Sequence, residues 1–128
     1  MEIIKIIILS LSSLMLVFVG AMRLNNPVKT YAKNSGIELK NDPSLLNEMR
    51  GVSAVMLCGG IIILSGVIVP LMTFTSFVVG ALVFIGFLIG RLISKRADGK
   101  PSQQISQGIV FEFVLGAANV FGLISTLV

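Results

Sequence analysis

The sequence contains no histidine and no tryptophan, and it contains only one cysteine and one tyrosine. The single cysteine, Cys58, cannot form an intrachain disulfide, and without histidine there is no Cys/His metal site and no imidazole base. Charged residues make up 12% of the chain, whereas soluble domains carry roughly 25%. We therefore expect no metal and no cofactor, and the shortage of charge argues against a water-soluble domain.

Long apolar runs are what the sequence has in abundance. Of its 128 residues 55% are hydrophobic, and the mean hydropathy is +0.98. As a helix, each long run can cross a hydrocarbon core of about 30 Å, and backbone groups in lipid must be hydrogen-bonded within their own segment. The sequence therefore predicts one all-α integral membrane domain over residues 1–128, a bundle of four transmembrane helices. The predicted spans are residues 3–22, 51–69, 72–93 and 105–128.

The polar loop of residues 23–50 contains signals for the start and the end of helices. An Asn-Pro or Asp-Pro step is typical of a helix start, and glycine is typical of a helix end. We therefore expect a short helical cap between helices 1 and 2, and a second start that leads into helix 2. The start signals are Asn26-Pro27 and Asp42-Pro43, and the end signal is Asn34-Ser35-Gly36.

The basic residues are concentrated on one side of the predicted bundle. Four crossings place the loops of residues 23–50 and 94–104 on one side and both termini on the other. The termini side carries Lys5, and the loop side, with the adjoining span ends, carries Arg23, Lys29, Lys33, Lys40, Arg50, Arg91, Lys95, Arg96 and Lys100. The positive-inside rule then predicts cytoplasmic loops and external termini. Because this clustering accounts for the net charge of +4, we expect no nucleic-acid partner.

The first apolar run can also be compared with a cleavable signal peptide, because small residues occur near its end at Val19-Gly20-Ala21. The run is long for the apolar part of a signal peptide. A signal peptide also enters the membrane with its N-terminus inside, opposite to the orientation that the charges predict. We therefore expect the run to remain as a transmembrane helix.

The fourth predicted helix carries polar residues at regular spacing. Glu112, Asn119 and Thr126 recur at intervals of seven, so they lie along one helix face. A carboxylate at the lipid surface is costly, and we therefore expect this stripe to face the bundle interior. The glycines that fall close to the same stripe are Gly108, Gly116 and Gly122.

Glu112 needs a partner if it is buried. We hypothesise that it pairs with Arg91, with Arg50, or with both, and Glu48 lies beside Arg50 in the sequence. Such a cluster has two interpretations. It is either an ion pair that locks the helices together, or a functional site for an anionic head group or for a protonatable carboxylate in a transport cycle.

Other small residues favour helix packing over chemistry. Gly86 and Gly90 are four residues apart, as are Ser76 and Gly80, and this spacing allows helices to approach closely. Cys58 is expected to be a small buried hydrophobic residue rather than a nucleophile, since no base accompanies it.

Short motifs at the span ends resemble an uncharacterised bacterial family of small four-helix membrane proteins, domain of unknown function 4345. The motifs are Asn47-Glu48-x-Arg50-Gly51, Gly90-Arg91-x-x-Ser94-x-x-x-Asp98-Gly99-x-Pro101, Glu112, and an Arg-x-x-x-Pro step from Arg23 to Pro27. The resemblance covers nearly the whole chain. It implies a four-helix membrane protein without an established activity, and it points to Glu48, Arg50, Arg91, Asp98, Gly99 and Glu112 as the signature. Together with the charge distribution, it leads us to expect a location in a bacterial inner membrane. With it, the candidate polar-cluster or ligand-binding residues are Glu48, Arg50, Arg91, Asp98, Glu112 and Asn119.

Three functions remain open from the sequence. The first is a non-enzymatic accessory or lipid-binding module, whose partners would be membrane lipids with anionic head groups or another membrane protein. The second is a small proton-coupled transporter that uses Glu112. The third is a lipid-modifying enzyme, which would have to rely on carboxylates and arginines alone. Small-residue helix faces also make homo-oligomerisation an open alternative.

Overall fold

The computed structural model describes residues 2–128, which fold into helices joined by short turns. Four helices are long and apolar enough to cross a membrane. The predicted all-α fold with four membrane-spanning helices is therefore confirmed, and a short helix follows the first of them as expected. The α-helices are α1 Ile3–Asn25, α2 Pro27–Ser35, α3 Pro43–Ile68, α4 Thr73–Asp98 and α5 Gln103–Leu127, and a 3₁₀ turn, Pro70–Met72, joins α3 to α4.

The predicted helix starts are confirmed by their capping contacts. The Asn26 side chain accepts a hydrogen bond from the backbone N–H of Lys29 at 3.2 Å, with proline at the first helical position. Asp42 caps α3 through the N–H of Ser44 at 3.4 Å. At the end of α2, Gly36 adopts a left-handed conformation with φ 66°, which glycine reaches without a steric penalty.

The short helix α2 lies across one end of the bundle, which we call the α2 end, where it contacts α1, α3 and α5. Its last residue is fastened to the start of α5. The Ser102 hydroxyl donates to the Ser35 carbonyl at 2.6 Å and accepts the N–H of Ile105 at 3.2 Å, so one side chain both caps α5 and holds α2. The termini and the Pro70 turn lie at the opposite end.

The long helices form two closely packed pairs, α1 with α3 and α4 with α5. Glycine permits the first pairing. A Cβ atom on Gly20 would lie 2.8 Å from the Leu57 nitrogen and 3.0 Å from the Ser53 carbonyl oxygen, both of them backbone atoms. The α3 and α4 helices are tied near their turn, where the Ser76 hydroxyl donates to the Ile62 carbonyl at 2.9 Å. Helices α1 and α5 touch much less.

Apolar side chains fill the interior and also cover the outer surface. The interior is formed by Leu9, Leu16, Met56, Ile63, Phe77 and Phe84. On the outside, Leu82 is 71% exposed and Phe113 is 61% exposed. Exposed apolar surface on this scale is unfavourable in water, and it is what a helix bundle in a bilayer presents to lipid. The expectation that Cys58 is buried is wrong: it lies exposed on α3, whose inward face is formed by its neighbours Met56, Gly59 and Gly60.

Helix α4 continues beyond its apolar run into the region expected to be a loop. It ends at Asp98, whose carboxylate accepts a hydrogen bond from the Ser94 hydroxyl at 2.8 Å. Gly99 then terminates the helix with φ 104°. The link from α4 to α5 is therefore very short, and the two helices stay in contact.

Candidate functional site

A buried ion pair joins α4 to α5 near the α2 end. Arg91 Nε lies 2.7 Å from Glu112 Oε1, with the side chains 26% and 9% exposed. A distance this short is typical of a charge-assisted contact between a guanidinium and a carboxylate. The Arg91 guanidinium also lies 5.6 Å from the centre of the Phe87 ring. Of the partners proposed for Glu112, Arg91 is the one that the fold supplies.

A second arginine, Arg23, lies buried beside this pair. Its guanidinium stands 4.5 Å from the centre of the Tyr31 ring, and its Nη2 lies 3.4 Å from the Ser35 hydroxyl. Its Nη1 reaches the Met56 sulfur at 3.8 Å, which is a weak acceptor. Arg23 makes no ion pair within residues 2–128, and its Nε has no hydrogen-bond partner there. Arg23 is only 9% exposed, so a positively charged group is buried, and the side chains that it contacts, Tyr31, Ser35 and Met56, are neutral.

A cavity of about 410 Å³ lies against these two arginines, between α1, α4 and α5. We call it the first cavity. Its charged lining consists of three cations, Arg23, Lys33 and Arg91, and one anion, Glu112. The rest of the wall is mostly apolar and includes Met15, Leu16, Val19, Phe84, Phe87 and Phe111. The site therefore combines a net positive region near the α2 end with an apolar channel that leads toward the middle of the bundle.

Side-chain direction explains why some arginines enter this site and another does not. Side chains on a helix lean toward its N-terminus. Arg23 and Arg91 lie near the C-terminal ends of α1 and α4, so they lean away from the α2 end and into the bundle. Arg50 lies near the N-terminal end of α3, so it leans outward.

The sequence-predicted cluster is therefore corrected in three places. Arg50 is exposed and donates to the carbonyls of Leu24 and Asn25, the latter at 3.3 Å, so it does not reach Glu112. Glu48 is exposed on the same turn of α3 and makes no ion pair within residues 2–128. Asp98 is exposed at the end of α4, where it is held by Ser94.

The polar stripe of α5 faces the interior, as expected. Glu112, Gly116, Asn119 and Gly122 are its buried residues. Asn119 lies seven residues beyond Glu112 and outside the first cavity. Its Nδ2 donates to the Ser12 hydroxyl of α1 at 2.9 Å and to the Leu115 carbonyl at 2.8 Å. This residue therefore joins α5 to α1 in the middle of the bundle.

Replacing Ser12 with alanine is expected to lower the free energy of unfolding by about 1 kcal/mol, because the Asn119 amide loses an acceptor on another helix. Ser13→Ala is the matched control. Ser13 is equally buried, but its hydroxyl bonds the Ser10 carbonyl within its own helix. Reversible unfolding in mixed detergent micelles measures both variants. Equal losses would show that the contact between helices adds nothing.

Two features of the site differ from the expectations drawn from the sequence. In the sequence, Arg23 contributes to the topology and to the Arg-x-x-x-Pro motif and is not placed in the site, although its position at the C-terminal end of an apolar run indicates a side chain that leans into the membrane. Gly86 and Gly90 were expected to bring helices together. Instead they are exposed, and a Cβ atom on either would meet no atom within 4 Å.

These observations define a small polytopic helical membrane protein with a cationic cavity under a short helical cap. The chain belongs to the family described as Domain of unknown function (DUF4345), whose model matches residues 4–123. The resemblance inferred from the short motifs is thereby confirmed. No curated protein and no solved structure matches the chain.

Proposed function

We propose that this protein is a non-enzymatic membrane module that binds the anionic head group of a lipid between Arg23 and Arg91. The observation that carries the proposal is Arg23, a buried guanidinium that lines a cavity and has no carboxylate partner among residues 2–128. A buried charge is costly unless it is paired. The single carboxylate of the cavity, Glu112, already contacts Arg91, so the charge balance of the site favours an added anion.

The chemistry of the two arginines suits a phosphate group. Each guanidinium presents several N–H donors in a planar fork, which matches the oxygens of phosphate or carboxylate better than a lysine does. Lys33 lies exposed at the edge of the same cavity, where it adds a third positive charge. An anion at this position would satisfy the unpaired Arg23 and would also interact with Arg91.

The apolar wall favours a lipid over a soluble anion. From Arg23 back to Met15 the cavity follows α1 for roughly 12 Å by the helix rise, and both residues line it. Phe84 and Phe111 continue the apolar lining on α4 and α5. A ligand with an anionic group and an acyl chain therefore matches the polar and the apolar parts of the site together.

The proposal includes an orientation. The α2 end carries nine of the ten basic residues, and the positive-inside rule assigns such an end to the cytoplasm. The anionic lipids of a cytoplasmic leaflet would then lie at the depth of Arg23 and Arg91. A bacterial inner membrane with both termini outside fits this arrangement.

The other two functions receive less support. A proton-coupled transporter needs a carboxylate that exchanges a proton for a substrate, but Glu112 is held against Arg91. A lipid-modifying enzyme needs an acid and a base, and Glu112 is the one carboxylate among the residues that line the first cavity. Neither function accounts for the unpaired Arg23.

The test is native mass spectrometry of gently extracted protein, wild type beside Arg23→Met and Arg96→Met. Arg96 supplies the matched control, because it is an exposed arginine at the same end of the bundle and lies outside the cavity. We expect an anionic lipid on the wild type and on Arg96→Met, with occupancy reduced about tenfold or more in Arg23→Met, which corresponds to the loss of one charge-assisted hydrogen bond.

Equal lipid occupancy in all three proteins would overturn the proposal, and so would equal loss in both variants, which would mean non-specific attraction to positive charge. Added inorganic phosphate serves as a competitor. If phosphate displaces the lipid at equal concentration, the site recognises a soluble anion instead of a lipid. Pure protein that drives pH-dependent substrate flux in liposomes, abolished in Glu112→Gln, would establish the transporter function in place of the module.

A further inference from the structure

A second cavity, of about 650 Å³, lies on the other side of the same two arginines. Its walls come mainly from α3 and α4, and they include Val52, Val55, Leu82 and Val83. Arg23 and Arg91 are the charged residues that line it. Apart from these arginines and from Tyr31 and Ser35, the lining of the second cavity is apolar.

The helix pairing accounts for the two cavities. Helix α1 packs closely on α3, and α4 packs closely on α5. Helices α3 and α4 also contact each other. Toward the α2 end the first cavity lies between α1, α4 and α5, and the second lies along α3 and α4. Arg23 comes from one pair and Arg91 from the other. The residues common to both linings are Arg23, Ser35, Met56, Phe87, Arg91 and Ile105.

The two cavities also extend to similar depths. On α4 the second cavity reaches from Arg91 back to Leu82, roughly 13 Å by the helix rise, and on α1 the first cavity reaches from Arg23 to Met15, roughly 12 Å. An anion held by the arginines would thus have an apolar surface on each of two sides. On one side the first cavity runs toward the middle of the bundle, and on the other the second cavity is a groove along α3 and α4 that is open to the outside of the bundle, where Val55 and Leu82 are exposed.

We infer that the ligand is a phospholipid with two acyl chains, whose phosphate lies between Arg23 and Arg91 and whose chains enter the two cavities, one in each. This inference rests on the proposed function and names the lipid class that the same site takes. A single-chain lipid or a fatty acid would use one cavity. A two-chain phospholipid matches the charge at the centre and the apolar walls on both sides.

Glycines allow each cavity to be filled separately. Gly108 lines the first cavity and Gly86 lines the second, and a Cβ atom on either would meet no atom within 4 Å. A larger side chain at either position therefore begins in open space on the wall of its cavity. Gly51 is the matched control, because it is a helical glycine with the same free space that lines neither cavity.

The experiment measures binding of three probes to delipidated protein by native mass spectrometry: dioleoyl phosphatidylglycerol, its single-chain lyso form, and oleate. We expect Gly86→Leu and Gly108→Leu each to lower the affinity for the two-chain lipid about tenfold. When one cavity is filled, the acyl chain that would occupy it has to lie elsewhere, and the phosphate then shifts away from one of the arginines. The affinity for the lyso lipid should change by no more than about twofold in either variant, since its one chain can use the cavity that remains. Gly51→Leu should bind all three probes as the wild type does.

The double variant Gly86→Leu with Gly108→Leu should lose binding of the lyso lipid as well, because both cavities are then filled. Gly90→Leu repeats the test of the second cavity with a different residue on its wall. If Gly86→Leu and Gly90→Leu leave two-chain binding unchanged, the second cavity holds no chain, and this inference is overturned while the proposed function stands. If Arg23→Met binds the two-chain lipid as tightly as the wild type, the proposed function itself fails.

Discussion

Replacing Arg91 with methionine is expected to lower the free energy of unfolding by about 3 kcal/mol, because Glu112 would remain buried without its ion-pair partner. Breaking a buried pair costs roughly 3–5 kcal/mol, and the lower end applies because the Arg91 side chain is 26% exposed. Methionine keeps most of the volume and removes the charge. Unfolding by a denaturing detergent in mixed micelles, followed by circular dichroism, gives the difference.

The double variant Arg91→Met with Glu112→Met separates the ion pair from the packing. Two apolar side chains of similar volume often replace a buried ion pair without loss of stability, so the double variant should recover most of the stability that Arg91→Met loses. If the double variant is less stable than either single variant, the loss of stability in Arg91→Met does not arise from a buried Glu112 carboxylate without its partner. Unaltered stability in Arg91→Met would show that the carboxylate has another partner.

Replacing Gly20 with alanine is expected to lower the free energy of unfolding by about 2 kcal/mol, within the range for overpacked interiors. The added Cβ would stand 2.8 Å from the Leu57 nitrogen and 3.0 Å from the Ser53 carbonyl oxygen. Because both atoms belong to the backbone of α3, no side chain can turn aside to make room, and the α1 and α3 helices must separate. Thermal unfolding in detergent measures the effect.

Gly51→Ala is expected to have the opposite effect on stability, although Gly51 belongs to the same pair of helices. Gly51 lies in α3 with free space around its Cβ position, and alanine favours a helix over glycine by roughly 0.5–1 kcal/mol. The variant should therefore be slightly more stable than the wild type. Equal destabilisation by both substitutions would mean that the close approach at Gly20 does not decide the pairing.

The helices and the inward face of α5 could be predicted because each depends on a local pattern. A run of about twenty apolar residues has few alternatives to a membrane helix. The spacing of Glu112 and Asn119 also fixes a common face whatever the helix packs against. The caps at Asn26 and Asp42 were predictable for the same reason, because their contacts reach only two or three residues along the chain.

The partners within the candidate site depend on how the helices pair, and no local pattern contains that information. Arg50 and Arg91 lie near the ends of neighbouring spans, so both were candidates for Glu112. The short link after Asp98 keeps α4 beside α5, and this selects Arg91. The role of Arg23 depends on Tyr31 and Met56, which come from two other helices. The direction of its side chain was nevertheless predictable from helix polarity.

The glycines show the same difference between local and tertiary information. Gly20 and Gly86 are both small residues in apolar helices, and small residues permit close packing without requiring it. At Gly20 another backbone occupies the space, whereas at Gly86 no atom lies within 4 Å of the Cβ position. Which of the two occurs depends on the neighbouring helix and not on the glycine.

The hydrogen bond between Ser102 and Ser35 imposes an order on biogenesis. Ser102 lies 67 residues after Ser35, so the contact that fastens α2 to the start of α5 cannot form before the link between α4 and α5 has been synthesised.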